Sequence, residues 1–290
     1  MPDSNKKLFL KCAFALALSL CLFSGPAAAL EEDAIQNIEG LKLNYTIYLG
    51  GLHFMNSSTE FARTGPVYNM EMKAGTQGFV RNLLPWDADL TSTGRIKRDQ
   101  VVPQKSKVVT YWRDKPEGVV FEYKKEKEGV RITPRFEPAK GKNKPMDARL
   151  GELDPLTGIL QMMASFSYGK GCEQQVPIYD GHRRFNVVLE EQGTEMLQGA
   201  DYSSFSGEAV KCVVDFNMKG GSTSDREGSH FWDAVAGKKD RPVIYIYLAE
   251  VRPDLPPLPV RAVTDTVFGG IVIHLSGISN VKLKRSASLN

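Results

Sequence analysis

Four histidines are the first place to look for chemistry, and their spacing argues against a metal. His53, His182, His230 and His274 lie far apart and show no ligand spacing. His53 and His274 sit inside apolar runs, where an imidazole usually serves as a hydrogen-bonded structural group. No Gly-x-Ser-x-Gly elbow or phosphate-cradling loop occurs, so acyl and phosphoryl transfer lack their usual motifs. Asp180, His182 and Ser229 supply the residue types of a hydrolytic triad, and a fold can gather such groups from distant positions. Nothing singles those three out. The expectation is a non-enzyme with no cofactor and no metal site.

Arg183 and Arg184 are more informative. They are adjacent in an extended run, so their side chains should point to opposite faces. Asp154, Asp180 and Asp215 offer carboxylates, and pairing with one would make an arginine a fastener between strand and helix. The functional alternative is a guanidinium anchor for an anionic head group, in a pocket otherwise lined by apolar side chains. Arg261, in LPVRAV, is a second candidate for that role. Tyr179 and Leu160 would line the same space, as would Tyr45, Phe54 and Phe185. Such residues serve equally well as ordinary core.

The first segment reads as an address. Lys6 and Lys7 precede an apolar run from Leu8 to Phe23, Gly25-Pro26 breaks it, and Ala27-Ala28-Ala29 suits a signal peptidase. The run is short for a membrane span. Leu20 stands before Cys21, where lipoprotein processing wants a small residue. A cleaved leader over residues 1–29 is therefore expected, with an exported, periplasmic protein that keeps no stable membrane span. Of 37 basic and 34 acidic residues, cleavage removes three of the former and one of the latter. That near balance excludes a protein specialised for nucleic acid, whose footprint is a marked basic excess. Cys172 and Cys212 remain, an even pair in an oxidising compartment, and a disulfide is expected between them. Closing a loop of roughly 40 residues, it would add about 4 kcal/mol in the chain-entropy model.

These residues need elements to position them. Asp154 caps a helix that Pro155 begins, and Leu156, Ile159, Leu160, Met163 and Phe166 recur along one face. Gly169 and Gly171 stop it. After Cys172 two extended runs meet at Asp180-Gly181, the strongest short hairpin signal. Leu41–Leu49 alternates as a half-buried strand, with further strands expected at His53–Met55, 67–72, 88–96, 106–113, 119–124 and 128–136. Asp114 to Gly118 reads as a turn and Lys124–Glu128 as a solvated hairpin tip. Strands at 208–218, 243–251, 258–265 and 268–275 complete the sheet. Pro138–Arg149 and Gly220–Gly228 read as exposed connections, and 281–290 as a loose tail after a single domain over 30–280.

Many strands and one convincing helix imply a mostly β fold: a single antiparallel, strongly curved sheet or open β-barrel, wrapped around or capped by that helix. Four features in order then resemble the family of exported bacterial proteins known as domain of unknown function 3108. They are YTIYLGGLHF, LDPLTGIL, the Cys172 … IYDGHRRFNVVL segment with Cys212, and LPVRAVTDTVFGGIVIHL. The resemblance implies a shape similar to periplasmic lipoprotein-carrier half-barrels and an envelope role, and it brings no catalytic residue. Lys140–Lys144 stands outside the pattern.

Three functional readings differ in what the interior holds. A binding module for an apolar or amphipathic envelope ligand, a lipid for example, or for an envelope protein, leads; its ligand form expects an internal apolar cavity. A structural envelope-integrity protein expects a filled barrel and an exposed apolar patch. A hydrolase expects nucleophile, base and oxyanion donors converging in one cleft.

Overall fold

Alternation of apolar and polar side chains gives every strand one face to bury, and the computed structural model shows where those faces meet. It describes residues 40–127, 129–137, 149–181, 183–221, 243–266 and 268–281. The expected leader, nearly all of the tail, residues 138–148, most of the expected Gly220–Gly228 connection and the triad candidates His182 and Ser229 lie outside these residues, as does His230.

One half of the chain is β1 (Gly40–Leu49), β2 (Leu52–Thr64), β3 (Val67–Thr76), helix α1 (Gly78–Leu83), β4 (Trp86–Lys97), β5 (Gln100–Trp112), β6 (Lys115–Glu126) and β7 (Gly129–Glu137). Helix α2 (Pro155–Ser167) leads to β8 (Gln174–Tyr179), β9 (Arg183–Leu197), β10 (Gly207–Gly221), β11 (Ile244–Ala249), β12 (Leu258–Thr266) and β13 (Gly269–Asn280). All thirteen strands join one antiparallel sheet, ordered β7-β6-β5-β4-β3-β2-β1-β13-β12-β11-β10-β9-β8. The first and last strands therefore pair in the middle, and β7 and β8, adjacent in the chain, become the two edges. The sheet is not closed.

Helix α2 packs against β4 and β5 of the first half and the edge strand β8 of the second. Leu156, Leu160 and Ala164 pack with Leu41, Phe61, Tyr68, Met70, Ile96 and Val101 from the first half. Phe166 and Met162 pack with Val176, Ile178, Val187, Leu189 and Leu248 from the second. Phe121 of β6 meets Tyr179 of β8 edge-on, with ring centroids 6.3 Å apart. Apolar side chains thus bridge a gap that backbone hydrogen bonds leave open. The Cys172–Cys212 disulfide, fully buried with a Cα–Cα separation of 5.8 Å, ties the entry to β8 onto β10.

Three local expectations need correction. The turn placed at Asp114–Gly118 begins one residue earlier and is tighter: Arg113 and Asp114 take it with φ of 48° and 63°, and Lys115 already begins β6. Ile159, expected on the buried face of the helix, is 39% exposed. The buried face includes Thr157, Gly158, Ala164 and Ser165 instead, small residues that let the helix lie close to the sheet. A Cβ on Gly158 would come within 2.1 Å of Ile178 Cδ1, which shows how close that approach is. Helix α1, too short for a periodic signal, was not expected at all.

Candidate functional site

Asp154 organises the buried end of α2. It is fully buried, with Oδ1 accepting from the amides of Leu156 and Thr157, both at 3.1 Å. Its Oδ2 accepts from the Tyr123 hydroxyl at 2.6 Å and from the Thr157 hydroxyl. Tyr123 Oη also accepts the Asp154 amide at 2.8 Å. Thr157 Oγ1 contacts Ser92 Oγ at 2.8 Å, and Ser92 Oγ contacts Tyr68 Oη at 2.9 Å. One polar chain thus runs Tyr68–Ser92–Thr157–Asp154–Tyr123 through the core. Burial pushes the Tyr68 hydroxyl up to about 12. Burial and then the Asp154 charge raise Tyr123 well above its ordinary value. Both hydroxyls stay protonated, so this chain fixes the helix in place.

The arginines are placed as adjacent strand residues require. Arg183 is half-buried and pairs with Asp180, Nε to Oδ2 at 3.1 Å. Arg184 is buried and pairs with Glu152, Nε to Oε1 at 2.9 Å, while its guanidinium lies 5.4 Å from the Tyr179 ring centre. Glu152 is the partner that sequence reasoning missed; Asp154 is committed to its cap, and Asp215 is exposed. Tyr179 is buried and donates to the Gly181 carbonyl at 2.9 Å. Leu160 belongs to the core beneath the helix. Arg261 stands on β12, three strands from β9, with its guanidinium 5.6 Å from the Tyr247 ring centre. The five candidates therefore do not line one space: Arg183, Arg184 and Tyr179 cluster at the β8–β9 turn, and Leu160 and Arg261 lie elsewhere.

Two histidines meet at Tyr48, with His53 at 5.7 Å and His274 at 6.2 Å between ring centroids. His53 Nε2 also contacts Asn56 Oδ1 at 2.7 Å. Partial burial and then the Arg261 charge hold the His274 imidazole below its ordinary value. Among the described residues no group of His, Cys, Asp and Glu side chains could hold a metal ion.

Two open clefts accompany this filled interior. A groove of about 650 Å3 lies over β1–β5, lined by Asn44, Asn56, Lys73, Asp87, Asp89 and Tyr111 among others. Register explains its polarity: Asn44, Ser58, Lys73 and Asp89 form one cross-strand rung, and Thr46, Asn56, Gly75, Asp87 and Tyr111 the next. Gly75 is needed there, because a Cβ would stand 2.3 Å from Asp87 Oδ1. Arg81 makes two hydrogen bonds of 2.8 Å to Asp87 and holds that carboxyl below the usual range. The second cleft, about 550 Å3, follows the seam between β5 and β8 beside α2. Gln161 closes part of it, accepting from the Val101 amide at 2.9 Å and donating to the Asp99 carbonyl at 2.7 Å.

The sequence matches the family model described as a protein of unknown function (DUF3108) over residues 44–276. The chain belongs to this family. No curated protein matches it. Among solved structures, this DUF3108 chain is similar to a β-barrel-like protein of domain of unknown function DUF1849 from Brucella abortus. That match has a TM-score of 0.48 and 11% identity, covering 85% of this chain and 99% of the other. The hypothetical protein CT021 from Chlamydia trachomatis matches with a TM-score of 0.33 and 10% identity, over 89% and 96% of the two chains.

Proposed function

We propose that this DUF3108 protein is an exported, non-enzymatic envelope protein that binds through its outer surfaces rather than by housing a small ligand in a barrel. The observation that carries this reading is α2 itself. Its side chains pack against both halves of the sheet, in the place where a carrier of this shape would hold an apolar molecule. Arg184, a buried arginine next to the edge strand, is already neutralised by Glu152. Export is supported by the leader-like N-terminal sequence and by the buried disulfide, a bond that persists in oxidising compartments.

Native mass spectrometry of protein purified from its own periplasm tests the reading. The expected mass is that of the polypeptide from about Leu30 onward, two hydrogens lighter for the disulfide. A stoichiometric adduct of lipid mass would overturn it, as would recovery of the chain with its leader attached.

A further inference from the structure

Half of the exposed large apolar side chains among the described residues stand at one end of the sheet. They are Leu52 (69% exposed), Phe79 (74%), Leu83 (59%), Leu84 (44%), Trp112 (46%) and Phe268 (65%). Each stands in or immediately beside a turn or short connection: β1–β2, β3–α1–β4, β5–β6 or β12–β13, with Leu52 opening β2 and Trp112 closing β5. The hydrogen bonding shows that these tips are neighbours. Gly50 N donates to Gly270 O at 2.9 Å, Gln77 N to Phe54 O at 3.0 Å, and Arg113 N to Pro85 O at 3.1 Å. Trp86 and Trp112 face one another in the ladder. From β13 to β5 is five strand spacings, about 24 Å of rim. Helix α1 buries none of its residues, although its sequence is GFVRNL.

An isolated exposed leucine needs no explanation, but a row of aromatic and leucine tips along one rim does. Its chemistry selects among occupants. Phenylalanine, tryptophan and leucine on separate projecting turns, rather than in a continuous flat patch, suit a medium that each tip can enter independently. The charges agree. Arg113 and Lys115 adjoin Trp112 at its turn and both are exposed, with the exposed Asp114 between them, so the turn presents one net positive charge to lipid phosphates. We infer that this rim seats on a phospholipid bilayer surface, with the tips in the acyl–headgroup boundary and the cations at the phosphates. The inference rests on the reading that the outer surfaces do the binding, and it names the partner.

Flotation of the mature, disulfide-bonded protein with vesicles of phosphatidylethanolamine and phosphatidylglycerol tests it. The wild type should float with them, and Trp112 should bring a blue shift of the emission. A Phe79→Ser/Leu83→Ser/Phe268→Ser variant changes only exposed positions and should melt like the wild type, yet bind about tenfold more weakly or worse. Arg113→Glu/Lys115→Glu should lose affinity for these vesicles and much less for neutral phosphatidylcholine. A wild type that stays unbound, or a serine variant that floats equally well, overturns the inference. Dimerisation that needs the rim, without flotation, overturns it in favour of a second copy. A lipid found inside the barrel would sink the filled-interior reading but leave flotation unaffected, so the two failures can be told apart.

Discussion

Asp154 carries two loads that sequence reading separates poorly. The Asp-Pro step announces a cap, and the cap is present, but Tyr123, Ser92 and Tyr68 join it from strands 31 or more residues away. A serine at an inward strand position is the only local trace of that chain. Asp154→Ala removes the cap, about 1 kcal/mol, and strands the Tyr123 hydroxyl, about 1–3 kcal/mol more. Urea unfolding should therefore register a loss of about 2–4 kcal/mol. Alkaline pH probes the other end of the chain. Folding raises the Tyr68 hydroxyl from 10.0 to about 12, so its contribution is complete below pH 10 and is lost as pH rises through 12. Such a shift corresponds to about 2–3 kcal/mol. Stability followed from pH 9 to 12 should fall less steeply in Tyr68→Phe than in the wild type; parallel curves would remove Tyr68 from the account.

At the scale of elements, α2 was legible because its cap, its proline and its leucines agree, and its observed span differs by a residue from the expected one. Its contact face was less so. Hydrophobic spacing favours Ile159, whereas Gly158, Ala164 and Ser165 decide the approach by being small, and smallness leaves no mark on an apolar pattern. Leu160→Ala should cost about 2–5 kcal/mol, with or without envelope lipids, because the position is packed by protein on every side. The disulfide was legible from the even pair of cysteines that cleavage of the expected leader would leave. Alkylation without reductant should label neither Cys172 nor Cys212, and replacing both with alanine should cost about 2–4 kcal/mol in chemical denaturation. Free thiols in periplasmic protein would contradict both statements.

For the whole molecule, alternation in the strands made a mostly β, antiparallel, curved sheet readable, and the family resemblance pointed to an open barrel. The strand order was not readable, since pairing β1 with β13 joins residues more than 200 positions apart and no short-range signal encodes it. The candidate site suffered for the same reason. Arg183, Arg184 and Tyr179 are local to one hairpin and do assemble, whereas Arg261 needed the long-range topology to be placed. Nor does strand patterning reveal which turns share an end of the sheet, so the apolar rim appears only in three dimensions. If α2 fills the space between the two halves of the sheet, protein purified from the periplasm melts at the same temperature before and after lipid extraction, and again after the extracted fraction is added back. A temperature that drops on extraction and recovers with the lipid would show a ligand stabilising the native state from within, and would contradict that filling.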